Sequence, residues 1–538
     1  MKDDTFDANT VKEEAMTFGR IRHFARLVVL PLVVSLVAAC TQTPSASSAP
    51  SVAATPSGPA GTLTIAMRGD IQSSHPYLSY DIVGISYREN VFDSIVEWSY
   101  DGKIVPGLAE SWKIDGTTIT FSIRKGVKFH NGDPVTADDV KFSLDTIKSK
   151  DLNSGSASNF AAVDSATVVD PNTVQFKLSR IDARIFDTIA NNLSILPMKY
   201  YQSVGQAGFI AKPIGTGPFK FVSWAKDDRV TMEANTDYWA GSYKGKPLVQ
   251  TLVFRAIPTA ATRVAELKAG SADIVQDLPT DQVDPLKAAG FNVVESKSPV
   301  YNWAFFNTAS TVDAAKPLKD ARVRQAMNMA VDTATIIKTV LGGHARQLAA
   351  GITDLTDGYT ADLKPFAFDQ AKAKSLLSDA GYPNGFSIDA DISNTAKPDV
   401  AQAVIAQLGQ VGIKVNLNAL PTDVFNDRWI KKGLDPMYFV TWNTFTHPAL
   451  LDLLAGCKGF ISSFCNQDAQ KFLDQGGATL DQAAQTTAYT QAAKVLATDP
   501  FGIYISADNA IYGLSSKVTG WKAHGITPIL GTNTTVNK

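Results

Sequence analysis

Residues 386–392 read FSIDADI, residues 400–408 VAQAVIAQL and residues 413–417 IKVNL. In the first stretch Phe386, Ile388, Ala390 and Ile392 fall on every second position, the period of a half-buried strand. The second carries its apolar residues at helical spacing, and the third returns to alternation. Strand, helix and strand joined by short links place the two strands parallel, with the helix as the crossover. The same order occurs earlier: TLVFR at 251–255, a helical stretch at 259–269, Gly270 as its stop, and ADIV at 272–275. Two such units in one chain point to an α/β architecture.

Other segments support a mixed fold without an internal repeat. Ile119, Phe121 and Ile123 alternate with Thr118, Thr120, Ser122 and Arg124, and Val174, Phe176 and Leu178 form a second alternating strand. Thr136 precedes Ala137-Asp138-Asp139, where a hydroxyl cap and early acids suit a helix N-terminus, and Val140, Leu144 and Ile147 continue the helix. Asp369 caps a further helix through Ala373, Leu376, Leu377 and Ala380, stopped at Gly381.

The chain has 538 residues, 45% hydrophobic and 19% charged, with a net charge of −2. That balance gives no electrostatic basis for binding nucleic acid. Residues 27–39 are apolar apart from Ser35, too short for the roughly 20 residues a spanning helix needs. They follow Arg20, Arg22, His23 and Arg26 and end in Ala38-Ala39-Cys40, the layout of an export signal. A start at Met16 instead of Met1 would give a short basic leader. Residues 41–60, TQTPSASSAPSVAATPSGPA, hold no charge and no aromatic ring, so they bury too little to fold and read as a tether. A flexible coil of that length averages roughly 25 Å. Cys457 and Cys465 flank a short loop, and in an exported chain they are a natural candidate for a disulfide, with two free thiols or a metal site as the alternatives.

Several stretches together resemble one family. Residues 108–112 (LAESW), 120–132 (TFSIRKGVKFHNG), 136–140 (TADDV), 215–219 (GTGPF), 265–274 (AELKAGSADI), 323–327 (VRQAM) and 380–383 (AGYP) follow the order seen in family 5 solute-binding proteins of ABC importers. Cys40 after Ala38-Ala39 resembles the lipobox of bacterial lipoproteins. The resemblance implies a two-lobed periplasmic-binding-protein-like fold with an extra subdomain and a ligand cleft between the lobes. It further implies a signal at 1–40, the tether at 41–60, lobe I at 61–305 with a subdomain at about 94–212, lobe II at 306–503, and a return to lobe I at 504–538. The chain would cross between lobes near Trp303–Asn307 and Ile503–Ser506. A receptor of this kind is a monomer with no cofactor. It is exported, lipid-anchored through Cys40 to the outer face of the cytoplasmic membrane, and works with permease and ATPase subunits in separate chains.

The candidate ligand contacts are Tyr301, Trp303, Trp442, Asn443, Phe445 and His447, since aromatic rings give stiff contact area while amides and imidazole orient a ligand. For Trp303 and Phe445 ordinary core packing is the competing reading, less so for Trp442, and for Tyr77, Tyr80 and Tyr87 it is the preferred one. The resemblance implies a peptide or peptide-like solute. Peptide-binding relatives carry an Asp shortly after the tryptophan, whereas here no carboxylate stands between Asp435 and Asp452. Unless Asp435 or another acid reaches in, an uncharged or differently charged solute is expected: a sugar, a glycoside or an opine-like compound. Direct metal binding is not expected from six scattered histidines, although a metal chelate is a related alternative. The chain has no Gly-x-Ser-x-Gly, His-Glu-x-x-His or phosphate-loop motif. It is therefore read as a binder rather than an enzyme, with a two-carboxylate hydrolase as the rival class, separable by turnover of the bound molecule.

Overall fold

The computed structural model describes residues 58–394, 396–443, 447–526 and 528–537. The leader, Cys40 and most of the tether lie outside these residues. One long sheet runs through the body. Its lobe I half holds strands Thr62–Met67, Thr251–Ala256 and Ile274–Val275, and its lobe II half holds Phe386–Ser393, Ile413–Leu420 and Met437–Asn443. Two long strands, Asn292–Phe306 and Gly502–Leu514, lie antiparallel between the halves.

Both crossover units are present. Phe386–Ser393 pairs in parallel with Ile413–Leu420, and Pro398–Gly409 is the connecting helix. In lobe I the pattern is opened by one place: Thr251–Ala256 and Ile274–Val275 both pair in parallel with Thr62–Met67, which lies between them. Its buried face, with Leu63 and Ile65, completes the core on which those strands pack. The connecting helix Ala260–Ala269 ends at Gly270, whose φ of 75° is left-handed and therefore suited to glycine.

The subdomain is a four-stranded antiparallel sheet in the order Ala109–Asp115, Thr118–Ile123, Thr173–Leu178, Val163–Asp170. Helix Ala137–Lys148 packs on it, opened by a capping box in which Asp139 accepts the Thr136 N–H at 2.8 Å. The 215–219 stretch has a packing reason. A Cβ on Gly215 would stand 2.1 Å from the Val91 carbonyl oxygen, and one on Gly217 would stand 2.6 Å from the Val91 carbonyl carbon. His130 clasps the same loop, with Nε2 3.0 Å from the Gly217 oxygen.

Beneath that loop lies a fully buried lysine. Lys244 Nζ is 3.0 Å from Asp93, 3.1 Å from Glu97 and 3.2 Å from Glu89, and it also donates to the Phe92 carbonyl at 2.9 Å. Asp93 additionally accepts from Thr216, Tyr238 and Trp239 at 2.9–3.0 Å. One ammonium thus fastens residues 89–97 to the loop at 238–244.

The two long strands change lobes along their length. Val293 and Val294 pack on lobe I cores. Tyr301, Trp303, Ala304, Phe305 and Phe306 belong to lobe II cores. The register between the strands shifts twice, between Lys297 and Val300, opposite Asn509 and Asp508, and between Asn302 and Trp303, opposite Ser506 and Tyr504. The second shift adjoins the Trp303–Asn307 and Ile503–Ser506 segments expected from sequence, while Ile503 and Ile505 pack in a lobe II core. The aromatic alternation at 301–305 is the signature of a core face, not of a bend. Cys457 and Cys465 form a disulfide with their Cα atoms 4.3 Å apart, closing a loop at the edge of lobe II.

Candidate ligand-binding cleft

In open α/β sheets ligands sit outside the carboxyl ends of parallel strands. Here those ends face one another. Lobe I delivers Arg68 immediately after Thr62–Met67, and Gln276 and Asp277 immediately after Ile274–Val275. Lobe II delivers Lys397 from the turn after Phe386–Ser393, and Thr441 near the end of Met437–Asn443. The long strands close the back with Ser298, Val300 and Asp508. Together these residues line a cavity of about 390 Å³, within the range of small-ligand sites.

The charges in the cleft come as two pairs of opposite sign. Arg68 NH1 lies 3.4 Å from Asp277 Oδ2, and both side chains are nearly half exposed, at 49% and 43%. Such a pair contributes little to stability and is free to exchange partners. Lys397 Nζ lies 2.6 Å from Asp508 Oδ2, whose carboxylate is much more enclosed. Asn302 fixes this second pair. Its Nδ2 donates to Asp508 Oδ1 at 2.8 Å and to Ser506 Oγ at 3.0 Å, and its Oδ1 accepts from Thr441 at 2.7 Å. Burial pushes the Tyr512 phenol up, aided by the Asp277 carboxylate, so Tyr512 offers a neutral hydroxyl.

The residues singled out from the sequence are placed differently. Tyr301 and Trp303 are fully buried and stacked with ring centroids 4.8 Å apart. Trp303 Nε1 donates to the Gly351 oxygen, and the Tyr301 hydroxyl meets Thr356 at 3.0 Å. Both are core residues of lobe II, and it is Asn302 between them that faces the cleft network. Trp442 is half-buried, on the strand face of Tyr438 and Val440, and packs edge-on against Trp429 at 5.7 Å. Its neighbour Thr441 is the one that lines the cavity. Phe445 and the side chain of Asn443 lie outside the described residues. His447 is buried at a second contact between lobes, 3.9 Å from Asp187 of the subdomain. Tyr77 and Tyr87 are core, whereas Tyr80 is exposed.

Asp435 is committed within lobe II. Its carboxylate lies 3.5 Å from Arg428, which also holds the buried Asp391, and its N–H donates to Asp391 at 2.8 Å. Burial pushes the Asp391 carboxyl up to about 6. Arg68, Asp277, Lys397 and Asp508 had no motif to announce them. The only sequence signal is a charged or amide residue directly after a short apolar strand, as in Met67-Arg68 and Val275-Gln276-Asp277. Among the described residues no cluster of three or more His, Cys, Asp or Glu is arranged to hold a metal ion. No helix among them is long and apolar enough to cross a membrane.

The family model for bacterial extracellular solute-binding proteins, family 5 (middle region), matches residues 103–460. The glutathione-binding protein GsiB of Pectobacterium atrosepticum is 28% identical over 487 residues, covering 87% of this chain and 93% of that protein. The dipeptide-binding protein of Escherichia coli is 28% identical over 508 residues, covering 86% and 92%. In three dimensions the chain resembles HbpA2 from Haemophilus parasuis, with a TM-score of 0.79 at 25% identity, covering 89% of this chain and all of that one. A two-lobed α/β body, a cleft at facing strand ends and a match across most of the chain agree: this protein belongs to the family 5 bacterial extracellular solute-binding proteins, the substrate-binding receptors of ABC importers.

Proposed function

We propose that the chain is a membrane-anchored receptor for a small zwitterionic solute of peptide or peptide-like type, which it hands to a separate permease. The observation that carries this reading is the convergence of both charge signs on one 390 Å³ cleft. An ammonium group finds Asp508 or Asp277, and a carboxylate finds Arg68 or Lys397, which are charge-assisted contacts of the strong kind. Asp508 supplies the acid that is missing beside Trp442. A neutral sugar would desolvate the same four charges without replacing their partners, which is unfavourable. Two of the relatives, the glutathione-binding and dipeptide-binding proteins, are named for solutes of the same chemical class. Bending at the register break between Lys297 and Val300 would let the lobes open and close, with solute favouring the closed state.

Titration calorimetry with di- and tripeptides, an opine and neutral sugars checks the solute class. One-to-one saturable binding of a zwitterion, recovered unchanged, is expected. Binding confined to neutral sugars, or turnover of the bound molecule, would sink the reading.

The anchor is proposed to be a lipid on Cys40, supported by the apolar run before it and the tether after it. Cys40→Ser is expected to move the protein from the membrane fraction to the soluble fraction. Unchanged fractionation would argue against lipidation.

A further inference from the structure

A second cavity, of about 250 Å³, lies between the subdomain and lobe II, apart from the cleft residues named above. On the subdomain side its wall is aromatic: the rings of Trp112 and Phe186 lie 5.4 Å apart at 37°. Asp187 follows on the same helix, Ile185–Asn192. Its Oδ1 accepts the Trp98 indole N–H at 3.2 Å. Its Oδ2 is 3.9 Å from His447 Nε2, beyond hydrogen-bond reach.

On the lobe II side the hydrogen bonds settle the state of His447. Gln485 Nε2 donates to the Ala183 and Thr479 carbonyls at 3.2 and 2.7 Å, so its Oε1 is the acceptor turned toward His447 at 3.3 Å. His447 Nδ1 accepts the Ala449 N–H at 3.1 Å. A neutral imidazole with its proton on Nε2 satisfies both contacts. The lining then contains two carboxylates, Asp187 and Asp481, and no lysine or arginine. Asp481 spends one oxygen capping the following helix, with the Ala484 N–H 2.9 Å away. Asp187 is therefore the acid with an oxygen to offer; burial pushes its carboxyl up, aided by the Asp357 carboxylate and opposed by His447 and the Trp98 N–H.

Aromatic faces beside a carboxylate, with no lysine or arginine in the lining, suit a positively charged guest: the rings attract it through their negative faces and the acid through charge-assisted hydrogen bonding. We infer that this cavity is a second binding site, for a protonated amine carried on an apolar body, with the ammonium at Asp187 and the body between Trp112, Phe186 and Ile114. Because its walls come from both lobes, an occupant ties the subdomain to lobe II. Its guest is set by Asp187 and the aromatic wall, whichever solute fills the main cleft.

Calorimetry on the mature chain with phenethylamine, and with 3-phenylpropionate as the isosteric acid, tests this. Saturable one-to-one binding of the amine is expected, with the acid at least tenfold weaker. Asp187→Asn should weaken the amine at least tenfold, and Asp508→Asn in the main cleft should leave it unchanged. Ile114 is 38% exposed, so Ile114→Lys keeps the fold, as circular dichroism would verify, while placing a repelling charge at the mouth. It should abolish amine binding. Equal binding of the acid, no saturable binding of the amine, or loss through Asp508→Asn with Asp187→Asn and Ile114→Lys silent would each overturn the proposal.

Discussion

Lys244→Met is expected to lower the unfolding free energy by about 3–5 kcal/mol, the usual cost of removing one partner from a buried ionic group. The side chain is fully buried and makes contacts of 2.9–3.2 Å with three carboxylates and a carbonyl. Without it, Glu89, Asp93 and Glu97 would repel one another in a low dielectric, where water cannot screen them. Urea unfolding followed by circular dichroism reads the loss. A change below about 1 kcal/mol would show the cluster to be dispensable. The cluster also predicts a pH effect. Burial, and the carboxylates of Asp93 and Glu89, hold the Glu97 carboxyl well above its ordinary 4.5, while Lys244 opposes them. The folded state therefore binds this proton more tightly than the unfolded state. The resulting stability is complete below the unfolded value and is lost as pH rises through the folded one. Glu97→Gln mimics the protonated acid and should flatten that loss above pH 4.5.

Asp508→Asn is expected to weaken the tightest-binding dipeptide at least 30-fold. Truncating one charge of an enclosed, hydrogen-bonded pair costs about 2–5 kcal/mol of binding, and each 1.4 kcal/mol is tenfold in affinity. The substitution keeps an acceptor for Asn302 Nδ2, now 2.8 Å from Asp508 Oδ1, so the local scaffold is preserved while the charge is lost. Lys397, 2.6 Å away, is then left with no anion at that position. Calorimetry against the wild type reads the change, and an unaltered dissociation constant would remove Asp508 from the site.

Much of the scaffold was legible because its signals are local. The alternation at 118–123 and 386–392 became strands, and the crossover units became parallel pairs. Residues 215–219 proved to be a place where backbone meets backbone, so a family stretch of this kind marks how lobe I is closed and not what the lobes hold. The cleft was not legible. Arg68, Asp277, Lys397 and Asp508 come from four separate parts of the chain, and only the sheet order brings their strand ends together. The aromatic residues at 301 and 303 lie in the core for a physical reason. Side chains alternate across a strand, so the rings of Tyr301 and Trp303 fill the core while Asn302 turns to the network that positions Asp508.

The two long strands also bear on when the protein can fold. Gly502–Leu514 lies between Asn292–Phe306 and Ile274–Val275. Asn90 donates to the Ile529 carbonyl and accepts from the Gly531 N–H, across separations of 439 and 441 residues. Lobe I is therefore completed by residues 502–531, contributed from far along the sequence. Contacts of such sequence separation form slowly, so closure of lobe I is expected to be a late step of folding.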